Sequence, residues 1–229
     1  SERPYYDVIR EAMKELNSDY TTARMAVWNQ FAGHIITRPV DKRENYIKRC
    51  VALPGDKLEL KNGVLYINDS PAYVPENMCM AYYTYLKNPL TQDEIDDLQI
   101  AGDLKMAGNQ DPTEVSGHVR LNLTQKQAEK LLASGNVDSL HKELLNKGEY
   151  YGVPGSIFPN NVKYYDWSID NFGPVYIPKK GQTIPLSDSI LPQYERAIRT
   201  YEGNELEQKD GKIYINGKEA TSYTFKMNY

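Results

Sequence analysis

Long apolar runs are missing from this chain of 229 residues. None reaches the length of about 18 that a membrane-spanning helix needs, so nothing in it spans a bilayer. An excess of basic charge is missing too. The formal net charge is −4, and a nucleic-acid footprint needs a clustered basic face, so nucleic acid is excluded as a partner. The opening SERPYYDVIREAMKEL is charged and amphipathic and lacks the apolar centre of a signal peptide. The chain therefore reads either as cytosolic or as an excised soluble piece of something larger.

Histidine and cysteine are scarce. The 3 histidines, His34, His118 and His141, lie far apart and show no metal-ligand spacing with the cysteines, so neither a metal nor another cofactor is expected. The 2 cysteines, Cys50 and Cys79, can bridge in an oxidising compartment; the plainer reading is two small buried hydrophobes. Tyrosine is abundant, with 19 residues, and suits half-buried strands better than it argues for a ligand surface.

What is present begins with helix patterns. Tyr5, Val8, Ile9, Ala12, Met13 and Leu16 form one apolar stripe, and Thr22 to Ala32 gives a second helix ending near Gly33. Ile35 and Ile36 open an extended stretch that runs into Pro39 and the charged loop 41–44. Residues 57–69 read as a hairpin turning at Asn62-Gly63, the strongest short hairpin signal. The same text returns later: LELKNGVLYINDSPA at 58–72 matches LEQKDGKIYINGKEA at 206–220, with Asp210-Gly211 at the turn. Two copies mean a β-structure with the hairpin as building block, or the convergence of two sequences on one turn chemistry.

Between the hairpins the composition changes. MAYYTYLK (80–87) and Glu114 to Leu123 read as strands. Thr91-Gln92-Asp93-Glu94 and Thr124-Gln125-Lys126-Gln127 are capping boxes, each opening a helix. Val137 to Leu145 is ambiguous, and residues 146–163 are connection. In DNFGPVYIPKKG (170–181), Pro174 and Pro178 deny the segment a central strand position. The expected fold is mainly β, with N-terminal helices (1–33), β core pieces at 34–72 and 201–229, and an inserted α+β unit with connecting loops at 73–200.

One strand-like stretch, NYIKRCVALPGD (45–56), holds two adjacent cations. Alternation along a strand sends Lys48 to one face and Arg49 to the other, so one cation faces an apolar interior or cleft. A buried ammonium loses hydration and its pKa falls, and the neutral amine can then serve a serine nucleophile as general base. The competing reading is an edge strand on which lysine discourages aggregation.

The segment YIKRCVALPGD closely resembles the lysine box of bacterial type I signal peptidases (leader peptidases), which carry Y-I-K-R, a short apolar run and P-G-D. RPVDKRENYIKR, DNFGPVYIPKKG and the stretch Tyr214 to Met227 are similar to members with a long insert. The resemblance implies a Ser/Lys-dyad serine endopeptidase on a β core, anchored to the plasma membrane with its domain on the extracytoplasmic (periplasmic) side. Such enzymes remove signal peptides from secretory preproteins after an Ala-X-Ala-like site. It makes Lys48 the general base and Tyr46 and Ile47 substrate-binding residues of the strand against which the substrate lies. Arg49, Pro54, Gly55 and Asp56 match positions that shape the core. The family's serine lies in an S-M-x-P-type segment, and no Ser-Met pair occurs here; the later G-D-N-R box is also absent. The chain is thus expected to be a fragment starting after the serine and ending before the last box, inactive alone, with its anchor elsewhere. The alternative is an exported, tyrosine-rich binding or scaffold module without catalysis.

Overall fold

The computed structural model describes residues 5–18, 20–36, 48–99, 111–152 and 155–229. The chain divides into two compact units, Ser1–Arg49 and Cys50–Tyr229.

The first unit is a helical hairpin of α1 (Tyr5–Glu15) and α2 (Tyr20–Phe31), followed by a 3₁₀ turn at Ala32–His34. Ile9, Ala23 and Val27 form its buried centre, with Val8, Ala12 and Met13 packed around them. The expected apolar stripe of α1 therefore holds except at its end, where Leu16 is exposed. The reason is a C-terminal cap: Asn17 takes a φ of 45°, and the Ser18 N–H donates to Met13 O (3.1 Å), so the helix ends at Glu15 and Leu16 falls in the turn.

The second unit is mainly β. In chain order it holds β1 (Lys57–Lys61), β2 (Val64–Ile67), β3 (Ser70–Pro71), β4 (Cys79–Leu86), α3 (Gln92–Asp97), β5 (Gly117–Thr124), α4 (Gln125–Ala133) and β6 (Val137–Lys142). There follow β7 (Phe172–Tyr176), β8 (Thr183–Pro185), α5 (Leu191–Arg196) with a π turn at Ala197–Tyr201, β9 (Leu206–Lys209), β10 (Lys212–Ile215), β11 (Lys218–Glu219) and β12 (Ser222–Thr224). The sheets run β3-β2-β1-β7, β5-β4-β6, β11-β10-β9 and β12-β8, antiparallel throughout.

The sheet β5-β4-β6 carries α3 and α4 on one face. Tyr82, Leu86, Leu121, Leu123 and Leu131 are buried between them, each such side chain contributing about 1.5–3 kcal/mol. Both capping boxes form. The Thr91 hydroxyl accepts from Glu94 N (3.2 Å) while Glu94 Oε2 accepts from Thr91 N (2.7 Å). Thr124 and Gln127 repeat the exchange at 3.2 and 2.7 Å. A second core joins α5, the π turn and the last strands through Leu191, Ile198, Leu206, Ile213 and Phe225. β7 is an edge strand, as its proline requires.

The two matching sequences are one structure built twice. Leu58 pairs with Ile67 and Lys61 with Val64; in the second copy Leu206 pairs with Ile215 and Lys209 with Lys212. The first turns take φ values of 50° and 75° at Asn62-Gly63, and 51° and 73° at Asp210-Gly211. Left-handed backbone at both central residues gives the type I′ turn that Asn-Gly and Asp-Gly favour. A second such turn follows in each copy, at Asn68-Asp69 and Asn216-Gly217, and starts the short third strand.

Cys50 and Cys79 are both free and exposed, against the expectation of buried hydrophobes. Cys50 lies in irregular backbone and Cys79 opens the exposed end of β4, so neither has a core to enter.

Candidate active site

Residues 48–50 are not a strand; Lys48 and Arg49 are both exposed. The alternation argument thus has no strand beneath it among the described residues. A strand needs a neighbour, and among the described residues none pairs with 48–53. Tyr46 and Ile47 lie outside the described residues.

The Pro54-Gly55-Asp56 end of the box is the ordered part. Gly55 sits at a φ of 102°, which an L side chain rarely adopts. The Asp56 N–H donates to Leu53 O (2.9 Å), and Asp56 Oδ2 accepts from the Leu53 N–H (2.7 Å), closing the turn from both sides. Asn68 Nδ2 donates to Asp56 Oδ1 at 2.8 Å. The Leu53 N–H, with Asn68 as the second contributor, holds the Asp56 carboxyl below its ordinary range. Gly55 N also donates to Ile177 O, and Ile177 N to Asp56 O, both at 2.8 Å.

One segment grips this hairpin along its whole length. At the far end the Gly63 N–H donates to Asp170 O (2.8 Å) and Asn62 N to Asn171 Oδ1 (3.1 Å). In the middle β7 pairs with β1, with a bulge where Leu58↔Val175 passes to Leu60↔Phe172. At the near end Ile177 meets the Pro-Gly-Asp turn. The buried Ser168 belongs to this grip: its hydroxyl donates to Leu145 O (2.7 Å) and accepts from Asn171 N (2.9 Å). A serine so engaged is a structural tie. Asn68, Asp170, Asn171 and Ile177 escaped the reading of the sequence as site-building residues; the recurrence of the Asn68 position in the second repeat was the available signal.

A second polar cluster lies on the helix-free face of the sheet β5-β4-β6. Glu143, nearly buried, accepts from Tyr83 (2.9 Å), from Tyr151 and from Arg120 Nε. Burial pushes the Glu143 carboxyl up, but the bonds from Tyr151, Arg120 and Tyr83 outweigh it and hold it below the usual carboxylate range. Burial and the carboxylate together push the Tyr151 phenol up to about 12. Tyr83, Arg120 and Tyr151 thus all spend hydrogen bonds on Glu143, which anchors the connection after β6. No group of histidine, cysteine, aspartate and glutamate suited to a metal occurs among the described residues.

Comparison with known proteins gives this arrangement a class. Residues 20–151 match the family described as signal peptidase, peptidase S26. That is more than half of the chain, and the chain belongs to this family. Signal peptidase IB proteins of several Staphylococcus aureus strains are 42% identical over 36 residues, 16% of this chain and 19% of theirs. The chain thus aligns with about a fifth of the length of these curated relatives. No solved structure matches. Among the described residues no helix is long and apolar enough to cross a membrane.

Proposed function

We propose that this chain is the lysine-bearing part of a Ser/Lys-dyad serine endopeptidase that removes signal peptides from exported preproteins. The observation that carries the reading is YIKRCVALPGD, lying inside the matched region and ending in an ordered turn. In this reading Lys48 Nζ takes the proton of a serine hydroxyl as the oxygen attacks the scissile carbonyl. The same proton then goes to the departing amine. A second transfer, from water, releases the acyl group. Tyr46 and Ile47 lie along the substrate, whose small side chains precede the cut in an Ala-X-Ala-like pattern. Arg49, Pro54, Gly55 and Asp56 shape the backbone around the base.

Lys48 is exposed here. No serine of this chain stands in an S-M-x-P-type context, so the 229-residue chain alone is expected not to cleave. The reading places the whole enzyme on the extracytoplasmic side of the plasma membrane, held by an anchor outside this chain.

The test uses the full-length protein and a fluorogenic signal-peptide substrate. Lys48→Ala is expected to lower cleavage by about 10²–10⁴-fold. Lys48→Arg should fare no better, because a guanidinium stays protonated. Wild-type cleavage by Lys48→Arg would overturn the general-base assignment.

A further inference from the structure

The repeat supplies an internal comparison for the Pro-Gly-Asp turn. Gly55, Leu58, Lys61, Tyr66, Asn68 and Ala72 recur, at constant spacing, as Gly203, Leu206, Lys209, Tyr214, Asn216 and Ala220. The hydrogen bonds recur with them. Lys57 N donates to Asn68 Oδ1 at 2.9 Å, and Glu205 N to Asn216 Oδ1 at 2.9 Å. Asn68 N donates to Lys57 O, and Asn216 N to Glu205 O, again at 2.9 Å. Asn68 Nδ2 donates to Asp56 Oδ1 (2.8 Å), and Asn216 Nδ2 to Asn204 Oδ1 (3.0 Å).

Turn chemistry explains why residues 68 and 216 prefer asparagine at φ 51°. It does not explain the amide reaching back to residue 56 or 204, just ahead of the first strand. That clasp is a property of the module, and its acceptor is a carboxylate in one copy and an amide in the other. Charge at the acceptor is therefore dispensable to the clasp itself, and the donor amide is the shared part. In the second copy the clasped Asn204 also donates to Tyr223 Oη (2.7 Å) and Ile198 O (2.9 Å), serving the core. In the first copy the clasped Asp56 instead holds the Leu53 N–H, on the backbone that leads back to Lys48.

We propose that Asn68 is a positioning residue for cleavage. Its amide fixes the Asp56 carboxylate, Asp56 fixes Leu53, and together they set the course of the lysine-bearing segment. The inference rests on the assignment of Lys48 as general base.

The test is steady-state cleavage of the signal-peptide substrate by the full-length protein. Asn68→Asp keeps a residue type that takes left-handed backbone in this structure, at Asp69 and Asp210, and sets a carboxylate against Asp56. The expected result is a fall in kcat of about 10–100-fold, the size of effect seen when the partner that orients a working group is removed, with KM within about twofold. Adding Asp56→Asn reverses donor and acceptor, re-forms the clasp and should recover a large part of the lost kcat but not all of it, because a neutral acceptor holds the Leu53 N–H less strongly; the unchanged KM is the readout that separates positioning from a general loss of folded protein. Asn68→Gly keeps the turn, loses the amide, and should match Asn68→Asp in kcat. Wild-type kcat in Asn68→Asp, or no recovery in the double variant, overturns the proposal, as does failure of both single variants to fold. Lys48→Ala runs beside them. If it is dead while Asn68→Asp is normal, the positioning role alone fails; if it cleaves, the general-base reading fails and takes this inference with it.

Discussion

Gly173 is the residue on which the grip along β1 depends most directly, and Gly173→Ala tests it. The residue has a φ of 92°, and a Cβ there would stand 2.7 Å from Leu58 O and 3.2 Å from Glu59 Cα. Both atoms are backbone of the paired strand, so no side chain can swing aside. Left-handed backbone for an L residue costs about 1–2 kcal/mol. Forcing a methyl into an already packed contact adds about 1–3 kcal/mol. Gly181 supplies the control: its φ is 82°, but a Cβ there meets nothing within 4 Å. Gly181→Ala should therefore carry the backbone cost alone. At about 2–4 °C per kcal/mol for a domain of this size, Gly173→Ala should lower Tm by about 10 °C and Gly181→Ala by about 4 °C. Trp167 is the reporter, since its ring lies 4.8 Å from Phe172 at the start of β7. The other of the 2 tryptophans, Trp28, belongs to the helical unit and is removed by Trp28→Phe in all samples. Fluorescence melts of the two alanine variants within about 2 °C of each other would show that the close approach to Leu58 has no cost of its own and would refute the reasoning.

Two further outcomes follow from the unit around β4. Glu143→Gln should cost about 3 kcal/mol at pH 7, read from urea midpoints, because Arg120 loses its partner carboxylate. The Glu143 carboxyl is held below its ordinary value in the fold, so its stabilisation is complete above the unfolded-state value and is lost as pH falls through the folded one. The gap between wild type and Glu143→Gln should therefore narrow as the buffer is taken from pH 7 into the acid range; a constant gap would refute the assignment. Thr124→Ala should remove the α4 cap and cost about 1 kcal/mol by the same measurement, with Thr124→Ser recovering most of it.

Much of the fold was legible because local chemistry decides it. Asn62-Gly63 and Asp210-Gly211 admit few turns, and the capping boxes at Thr91 and Thr124 mark helix starts to the residue. Pro174 announced an edge strand, and β7 is one. The failures share a different cause. Alternation placed Lys48 on a strand, but a strand exists only where a neighbour pairs with it, and pairing is a property of the whole fold. Leu16 continues the stripe of α1 on paper, yet the cap at Asn17 ends the helix and leaves it in solvent. Cys50 and Cys79 were judged by residue type, and type says nothing of the exposed strand end or the loop in which each lies. Asn68 and Ile177 act through bonds to Asp56 from 12 residues away in one case and from a distant strand end in the other, beyond any local pattern.

The repeat shows how one module takes on two tasks. Strand register, turn type and the asparagine clasp are the same in both copies, so they belong to folding. The copies differ in what is attached outside the clasp. In the second, the preceding residues form α5 and its π turn, pack Ile198 and Tyr194 into the core, and spend the Asn204 amide on that packing. In the first, the preceding residues are irregular and mostly exposed, and the clasped group is a carboxylate that holds its own upstream backbone. Asparagine at Asp56 would keep the bond from Asn68, as Asn204 shows, so the demands of the hairpin do not account for aspartate there. The Leu53 N–H does: a charged acceptor makes a bond to a backbone donor roughly twice as strong as a neutral one. An exposed segment with no core to hold it needs that strength, whereas the buried second copy does not. The acid of the Pro-Gly-Asp turn is therefore explained by the segment it restrains rather than by the hairpin it begins.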